Sequence, residues 1–326
     1  MFHVKLNRIP KSWKDENILA AQMIYEDCSA HNEMPYIFFS GGLDSNVVAE
    51  SFRLAKVPYK IFIMRYNNGL NDYDIQFAID WCEAYNIEYI LYDIDYVKFL
   101  ESEKWRDIAI ESRLTSPHQL LYLHAATNLI DGYPVIGYGE PDLTREDIEP
   151  GVKNAYKIHV MHYSSFEKYF ENRRGSPIFF HHTPEQQLSW FFENRTIDFV
   201  GRRKYITPGD NYVDHVDKFT DCIQCHKNDF YRESYPNLVK RPQIINHNEW
   251  KGHKRRWGKP MTDYTGFDRL PKDIFNLECE VREVLEFFIE EFEDIWCEYD
   301  KYINKTLTPK FINYYNEIIE KVENGI

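Results

Sequence analysis

Between residues 36 and 55 the chain runs an apolar tetrapeptide, Tyr36-Ile37-Phe38-Phe39, into Ser40-Gly41-Gly42-Leu43-Asp44-Ser45 and then into a stretch of helical character from Asn46 to Ala55. No other segment restricts the fold as strongly. A short run of consecutive apolar residues bounded by turn residues suits a strand buried on both faces, which requires covering layers on both sides. Gly41 and Gly42 permit a tight turn whose N–H groups point inward, and the following helix presents the positive end of its dipole there. Ser40 and Ser45 add hydroxyl donors. The whole suits an oxyanion bearing several charges. The same residues could serve as a plain strand-to-helix turn; what favours the anion is the placement directly after an apolar strand and at a helix start. No Gly-Lys-Ser/Thr follows, so this is not a Walker-type loop.

The rest of the first half alternates in the same manner. Spaced apolar positions predict a helix over 14–31, and strands are expected at 59–64, 88–94 and 133–137. Helices are expected at 72–85, about 96–113 and 117–130. Strands separated by helices of this length imply an α/β fold, a doubly wound parallel sheet with helices on both faces. The second half loses the alternation. Aromatic and basic loops run to about 270, followed by helices expected at about 273–300 and 308–323. The reading divides the chain into a nucleotide-binding domain over 1–165 and an accessory, partly helical and loop-rich region over 166–326, with a soft boundary.

With 43% hydrophobic residues, a core of this kind is affordable, and no run nears the ~18 apolar residues of a membrane span. The N-terminal stretch lacks the apolar segment of a secretory signal, so a cytoplasmic protein with reduced thiols is expected. A net charge of −13 argues against a surface that tracks nucleic acid throughout. The charge is uneven, however. A basic excess between Arg195 and Pro260 precedes a strongly acidic stretch between Asp273 and Asp300.

Asp44 is the odd member of the loop, because a carboxylate beside phosphate repels it unless a cation intervenes. Its natural role is to hold Mg²⁺ that bridges to phosphate oxygens. The hexapeptide Ser40–Ser45 resembles the signature of the N-type ATP pyrophosphatases, the PP-loop family of the wider adenine nucleotide alpha hydrolase-like (HUP) group. The resemblance implies that Ser40, Gly41, Gly42, Leu43, Asp44 and Ser45 bind ATP, which is cleaved between its α and β phosphates. In the family an adenylated carboxylate or carbonyl oxygen is then attacked by a nitrogen or sulfur nucleophile. A second segment, Ser116-Pro117-His118-Gln119-Leu120-Leu121-Tyr122 leading to Val135-Ile136-Gly137-Tyr138-Gly139-Glu140-Pro141-Asp142-Leu143, is similar to the synthetase domain of asparagine synthetase. By that likeness Asp142 and Glu140 share Mg²⁺ with Asp44, and Gly139 belongs to the same loop. Together these likenesses cover roughly residues 35–145. Pro141, which separates the two acids, departs from the family's usual acidic pair.

Further roles implied by the resemblance are less local. A backbone group at Met64 would pair with the adenine edge, unless Met64 is simply core. A cation at Arg202 or Lys204, with Arg203 and Arg195 as alternatives, would steady the α-phosphate. Phe2 rather than cysteine follows Met1, so an N-terminal glutaminase nucleophile is not expected. Free ammonia, an amine substrate or a partner glutaminase would supply nitrogen.

Cys222-Ile223-Gln224-Cys225-His226 admits several readings: two cysteines without chemistry, a Zn²⁺ site completed by His215 and His226, or a redox or sulfur-carrying pair. His181-His182 before Thr183-Pro184 reads as a strand end entering a helix cap, with substrate contact as the alternative. The run Lys251–Trp257 is either a solvated loop or an arm for nucleic acid. The leading expectation is an AMP-forming ligase acting on a small-molecule acid. The alternatives are an enzyme that modifies a nucleobase in tRNA, and a nucleotide-binding protein without turnover.

Overall fold

In the computed structural model the expected alternation folds into a four-stranded parallel sheet. The structure describes residues 2–3, 7–66, 71–95, 98–99, 102, 104–112, 114, 117–138, 142–146, 155–159, 164–193, 230–238 and 286–289. After the short strand β1 (Phe2–His3) come α1 (Trp13–Ala30), β2 (Pro35–Phe38), α2 (Leu43–Ala55), β3 (Lys60–Tyr66), α3 (Asp72–Ala84) and β4 (Tyr89–Ile94). Next are α4 (Lys104–Ser112), α5 (Pro117–Asn128) and β5 (Tyr133–Ile136). The sheet order is β4-β3-β2-β5, every neighbour parallel, with Phe38 opposite both Phe62 and Ile136. The chain thus winds outward from β2 through β3 to β4, then crosses back to place β5 on the other side of β2. That reversal is the topological switch point, where open α/β sheets bind their ligands.

Alternation along β2 separates the two covering layers. Ile37 and Phe39 join a core with Trp13, Ala20, Ala21 and Ile24 of α1, Val47, Val48 and Phe52 of α2, and Ile75, Ala78 and Trp81 of α3. Tyr36 and Phe38 face the other way, into a core with Trp105 and Ile108 of α4, Leu120, Leu121 and Leu123 of α5, and Phe166, Tyr169 and Phe170. Buried on both faces, β2 had to be continuously apolar, which is what its sequence shows. The helices start for local reasons as well. Ser12 Oγ accepts from Asp15 N–H at 3.1 Å at the head of α1, whose first turn carries Asp15 and Glu16.

Segments from the second half of the chain complete both cores. Helix α6 (Ser164–Phe170) lies in the second. A 3₁₀ turn (Phe179–His181), α7 (Pro184–Glu193) and residues 230–238 lie in the first. Ser176 extends the sheet beyond β5, exchanging hydrogen bonds with Ile136 N–H at 2.9 Å and the Pro134 carbonyl at 2.8 Å. A buried polar network ties two of these pieces, α7 and 230–238, to α1 and α2. Gln186 donates to Asn17 Oδ1 at 2.7 Å, Asn17 donates to the Tyr235 hydroxyl at 3.1 Å, and that hydroxyl lies 3.0 Å from Ser51 Oγ. Each member is satisfied, so the network fixes the docking of 230–238 without an unpaired polar group.

Two expectations need correction. A helix was expected across 273–300, but Glu286–Ile289 forms a strand, β8. It joins a second sheet of order β1-β8-β7-β6, in which β6 (Asp142–Glu146) and β7 (Ala155–His159) pair antiparallel. Phe287, Phe288 and Ile289 fit a pleated surface, and the ladder to Tyr156–His159 is a long-range pairing that a local helical period does not reveal. His181 lies in the 3₁₀ turn, not at a strand end; the expected cap follows it, with Pro184 opening α7 and Thr183 Oγ1 accepting from Gln186 N–H at 3.1 Å. The helix expected at 308–323 lies outside the described residues. Cys28 and Cys82 are free thiols in the core, each pushed up to about 12, chiefly by burial, and so inert. Among the described residues no helix is long and apolar enough to cross a membrane.

Trp13 is the point on which α1, α7 and 230–238 converge. It is 1% exposed, with ring centroids of Tyr231 at 4.9 Å, Trp190 at 5.1 Å, Phe230 at 5.3 Å and Phe180 at 5.8 Å. Trp13→Ala is expected to cost about 3–5 kcal/mol of stability, measured as a shift of the urea midpoint.

Candidate active site

The loop after β2 is built by short hydrogen-bonded steps. Phe39 N–H makes the last sheet bond, to the Phe62 carbonyl at 3.0 Å, and the chain then leaves the sheet. Ser40 N–H donates to Ser45 Oγ at 3.3 Å, the two serine hydroxyls lie 3.2 Å apart, and Gly42 N–H donates to Ser40 Oγ at 3.3 Å. Ser45 in turn donates to the Gly42 carbonyl at 3.0 Å. The two serines therefore brace the turn from inside.

Both glycines that flank this turn are required by contact. Gly41 has φ +75°, and a Cβ there would lie 2.0 Å from the Asp74 carbonyl oxygen in the first turn of α3. A Cβ at Gly137, just past β5, would lie 2.7 Å from Val48 Cγ2 and 3.1 Å from Ser45 Cα. The loop is thus pinned between α3 and the end of β5, at the switch point. Gly42 is the N-cap of α2 and supplies no side-chain cap, so the positive end of the helix is left to act on whatever lies before it.

Aromatic side chains of α5 and the β5 end line the same region. Tyr122 hydrogen-bonds Ser40, and burial nonetheless holds its hydroxyl well above the ordinary tyrosine range. Tyr138 is likewise pushed up, by burial first and in part by the nearby charge of Asp44, while a hydrogen bond from Gln119 acts the other way. His118 stacks on Tyr122 at 4.8 Å and meets Tyr66 edge-on at 6.2 Å, and Tyr138 stacks on Phe166 at 5.1 Å. Both tyrosines stay protonated at neutral pH.

Of the residues singled out in the sequence, Ser40, Gly41, Gly42, Leu43, Asp44 and Ser45 come together in one turn. Met64 lies on the adjacent strand with its side chain in the core, 5% exposed, and its carbonyl accepts from Asn71 Nδ2 at 2.8 Å. Asp142 opens β6, opposite His159. Gly139, Glu140, Arg202, Lys204, Cys222, Cys225 and the 251–257 run lie outside the described residues. Among the described residues no three or more His, Cys, Asp or Glu side chains gather to hold a metal ion. One carboxylate at Asp44 suits Mg²⁺ carried in with a polyphosphate, since that ion takes oxygen ligands and draws most of them from phosphate and water. Tyr122, Tyr138, Gln119, Asn71 and Asp74 were not assigned roles from sequence. The sequence likeness takes in the segments containing His118–Tyr122 and Tyr138, but contacts made across the sheet leave no local signal.

No protein-family model and no curated protein matches the chain. Among solved structures it is similar to an NMN synthetase from Francisella tularensis, at 16% identity and a TM-score of 0.32, covering 72% of this chain and 100% of that one. It is also similar to an NH3-dependent NAD synthetase from Campylobacter jejuni in complex with nitrate, at 16% identity and a TM-score of 0.32, covering 77% of this chain and 98% of that one. Likenesses this distant leave the chemistry to be read from the loop itself.

Gly41→Ala must place a side chain at a left-handed φ and against a backbone oxygen. The variant is expected to lose about 2 kcal/mol or more of stability, read from thermal unfolding. His181 gives a pH signature. Its Nε2 is sealed from solvent, and burial drives its pKa down to about 3. The unfolded chain takes up this proton below about pH 6.5 while the folded chain refuses it, so stability present above pH 6.5 is lost as pH falls. The loss should reach roughly 2 kcal/mol by pH 5, and His181→Gln should flatten the stability curve over that interval.

Proposed function

We propose that this chain is an ATP pyrophosphatase that forms AMP while activating a carboxylate or carbonyl for attack by a nitrogen nucleophile. The observation that carries the reading is the Ser40–Ser45 turn. It sits at the switch point of a doubly wound parallel sheet, braced by its own serines, with an uncapped helix N-terminus and an acidic side chain in that helix's first turn.

The chain's residues divide the work. The N–H groups at the head of α2 and the α2 dipole receive the β and γ phosphates, and Ser40 offers a hydroxyl donor to the same oxygens, while Ser45 gives its proton to the Gly42 carbonyl and braces the turn. These groups suit a leaving pyrophosphate, because they are fixed before the bond breaks and need no rearrangement as charge develops. Asp44 and, by the sequence likeness, Asp142 and Glu140 would hold Mg²⁺, which when bound neutralises the charge departing with pyrophosphate. Tyr122 and Tyr138 remain protonated, so they stand beside the phosphates as donors. A cation among Arg202 and Lys204 would steady the α-phosphate. Within this class the asparagine synthetase pattern points to amide formation on a small acid, with nitrogen supplied by ammonia, an amine or a separate glutaminase.

Incubation with ATP, Mg²⁺ and a panel of small carboxylic acids and ammonia should yield AMP and pyrophosphate for at least one acid. Labelled pyrophosphate should exchange into ATP with that acid alone. Asp44→Asn should lower the turnover at least about a hundredfold, the loss that follows removal of one electrostatic stabiliser, without unfolding the protein. Release of ADP and phosphate instead of AMP would overturn the reading.

A further inference from the structure

The aromatic wall beside the loop contains one hydrogen bond whose direction is set by its chemistry. Gln119, in the first turn of α5, donates from Nε2 to the Tyr138 hydroxyl. A carboxamide nitrogen has no lone pair to offer in return. The phenol oxygen is therefore the acceptor, and it passes its own proton to another oxygen.

The surroundings fix where that oxygen stands. Tyr138 stacks on Phe166 of α6, with ring centroids 5.1 Å apart and planes at 28°. Gly137, the residue before it, is pressed on the head of α2. A Cβ there would lie 3.1 Å from Ser45 Cα and 3.3 Å from the Asp44 carbonyl oxygen. The Asp44 carboxylate is also close enough for its charge to act on the phenol. With ring and backbone both held, the remaining freedom of Tyr138 is rotation about its C–O bond, and Gln119 sets that.

We propose that Gln119 is a positioning residue for the pyrophosphate site: by donating to Tyr138, it holds the phenol as a donor toward the anionic oxygens at the head of α2. The inference rests on the function proposed above and adds a residue that acts through another. Pyrophosphate and the Asp44 carboxylate offer only acceptors, so a phenol serves them only as a donor. Turned the other way, it would set its lone pairs against theirs. An amide donating into the phenol oxygen also polarises the O–H and makes it the better donor.

Binding of Mg²⁺-pyrophosphate is measured by calorimetry on the wild-type chain, Gln119→Met, Tyr138→Phe and the double variant. Both substitutions nearly keep side-chain volume, and thermal unfolding checks that the fold persists. Gln119→Met should weaken binding about fivefold and Tyr138→Phe about tenfold. On the Tyr138→Phe background, Gln119→Met should cost nothing more. Gln119→Glu keeps the size and the bond but reverses it, because a carboxylate accepts the phenol's proton. Its loss should be at least about tenfold greater on the wild-type background than on Tyr138→Phe, where only direct repulsion between the new charge and phosphate remains. Equal costs on the two backgrounds overturn the proposal and leave Gln119 a packing side chain. A wild-type chain without affinity for Mg²⁺-pyrophosphate sinks the phosphate-loop reading, and this inference with it. The expected coupling without any AMP from ATP sinks the pyrophosphatase reading alone.

Discussion

A backbone-to-backbone contact governs the functional end of this protein. Gly41 lies so close to the Asp74 carbonyl that no side chain fits between them, and its φ of +75° turns the chain abruptly away from β2. That contact fixes the turn against the first turn of α3, while Gly137 brings the end of β5 against the first turn of α2. Two helix N-termini and two strand ends therefore meet around six residues. The aromatic wall and the serine braces take their positions from this meeting. If the turn relaxed by the space of one methyl group, α2 would no longer point its positive end along the switch-point crevice.

Much of this was legible because the signals were local. A strand buried on both faces must be continuously apolar, so Tyr36–Phe39 announced both the strand and its two covering layers. The double glycine between strand and helix marked the turn. Strand and helix positions through Ile136 follow from the same reasoning, with ends displaced by a few residues, as at α2, which starts at Leu43 where the sequence suggested Asn46. Helix starts shift most when, as here, the cap is glycine and offers no side-chain signal.

What stayed hidden was set by partners distant in sequence. The acidic, aromatic stretch around Glu286 has a credible helical period, yet its aromatic residues find a ladder on β7. Asn71 carries no local sign of its use, which is to hold the Met64 carbonyl and the Tyr66 N–H beyond the point where β2 leaves β3. Tyr122 reads as one more apolar position on α5, and its bond to Ser40 exists because the sheet carries both to one end. The tertiary setting, not the residue type, assigns these roles.

The electrostatics of the loop decide what it can hold. A carboxylate about 4 Å from a phosphate costs about 4 kcal/mol at the effective dielectric of a protein surface. The α2 dipole returns about 0.3–2 kcal/mol, and a Ser40 hydroxyl bond to a charged oxygen about 1.5–3, since Ser45 gives its own proton to the Gly42 carbonyl. Without Asp44, the turn would bind an anion comfortably; with Asp44, the donors roughly cancel the repulsion and little affinity remains. A bare anion is therefore a poor ligand, whereas one accompanied by a divalent cation converts Asp44 from a liability into a ligand. The chain keeps an acid in the first turn of the very helix whose dipole favours anions. In the function proposed above, that combination would select a metal-bound polyphosphate over phosphate or sulfate alone.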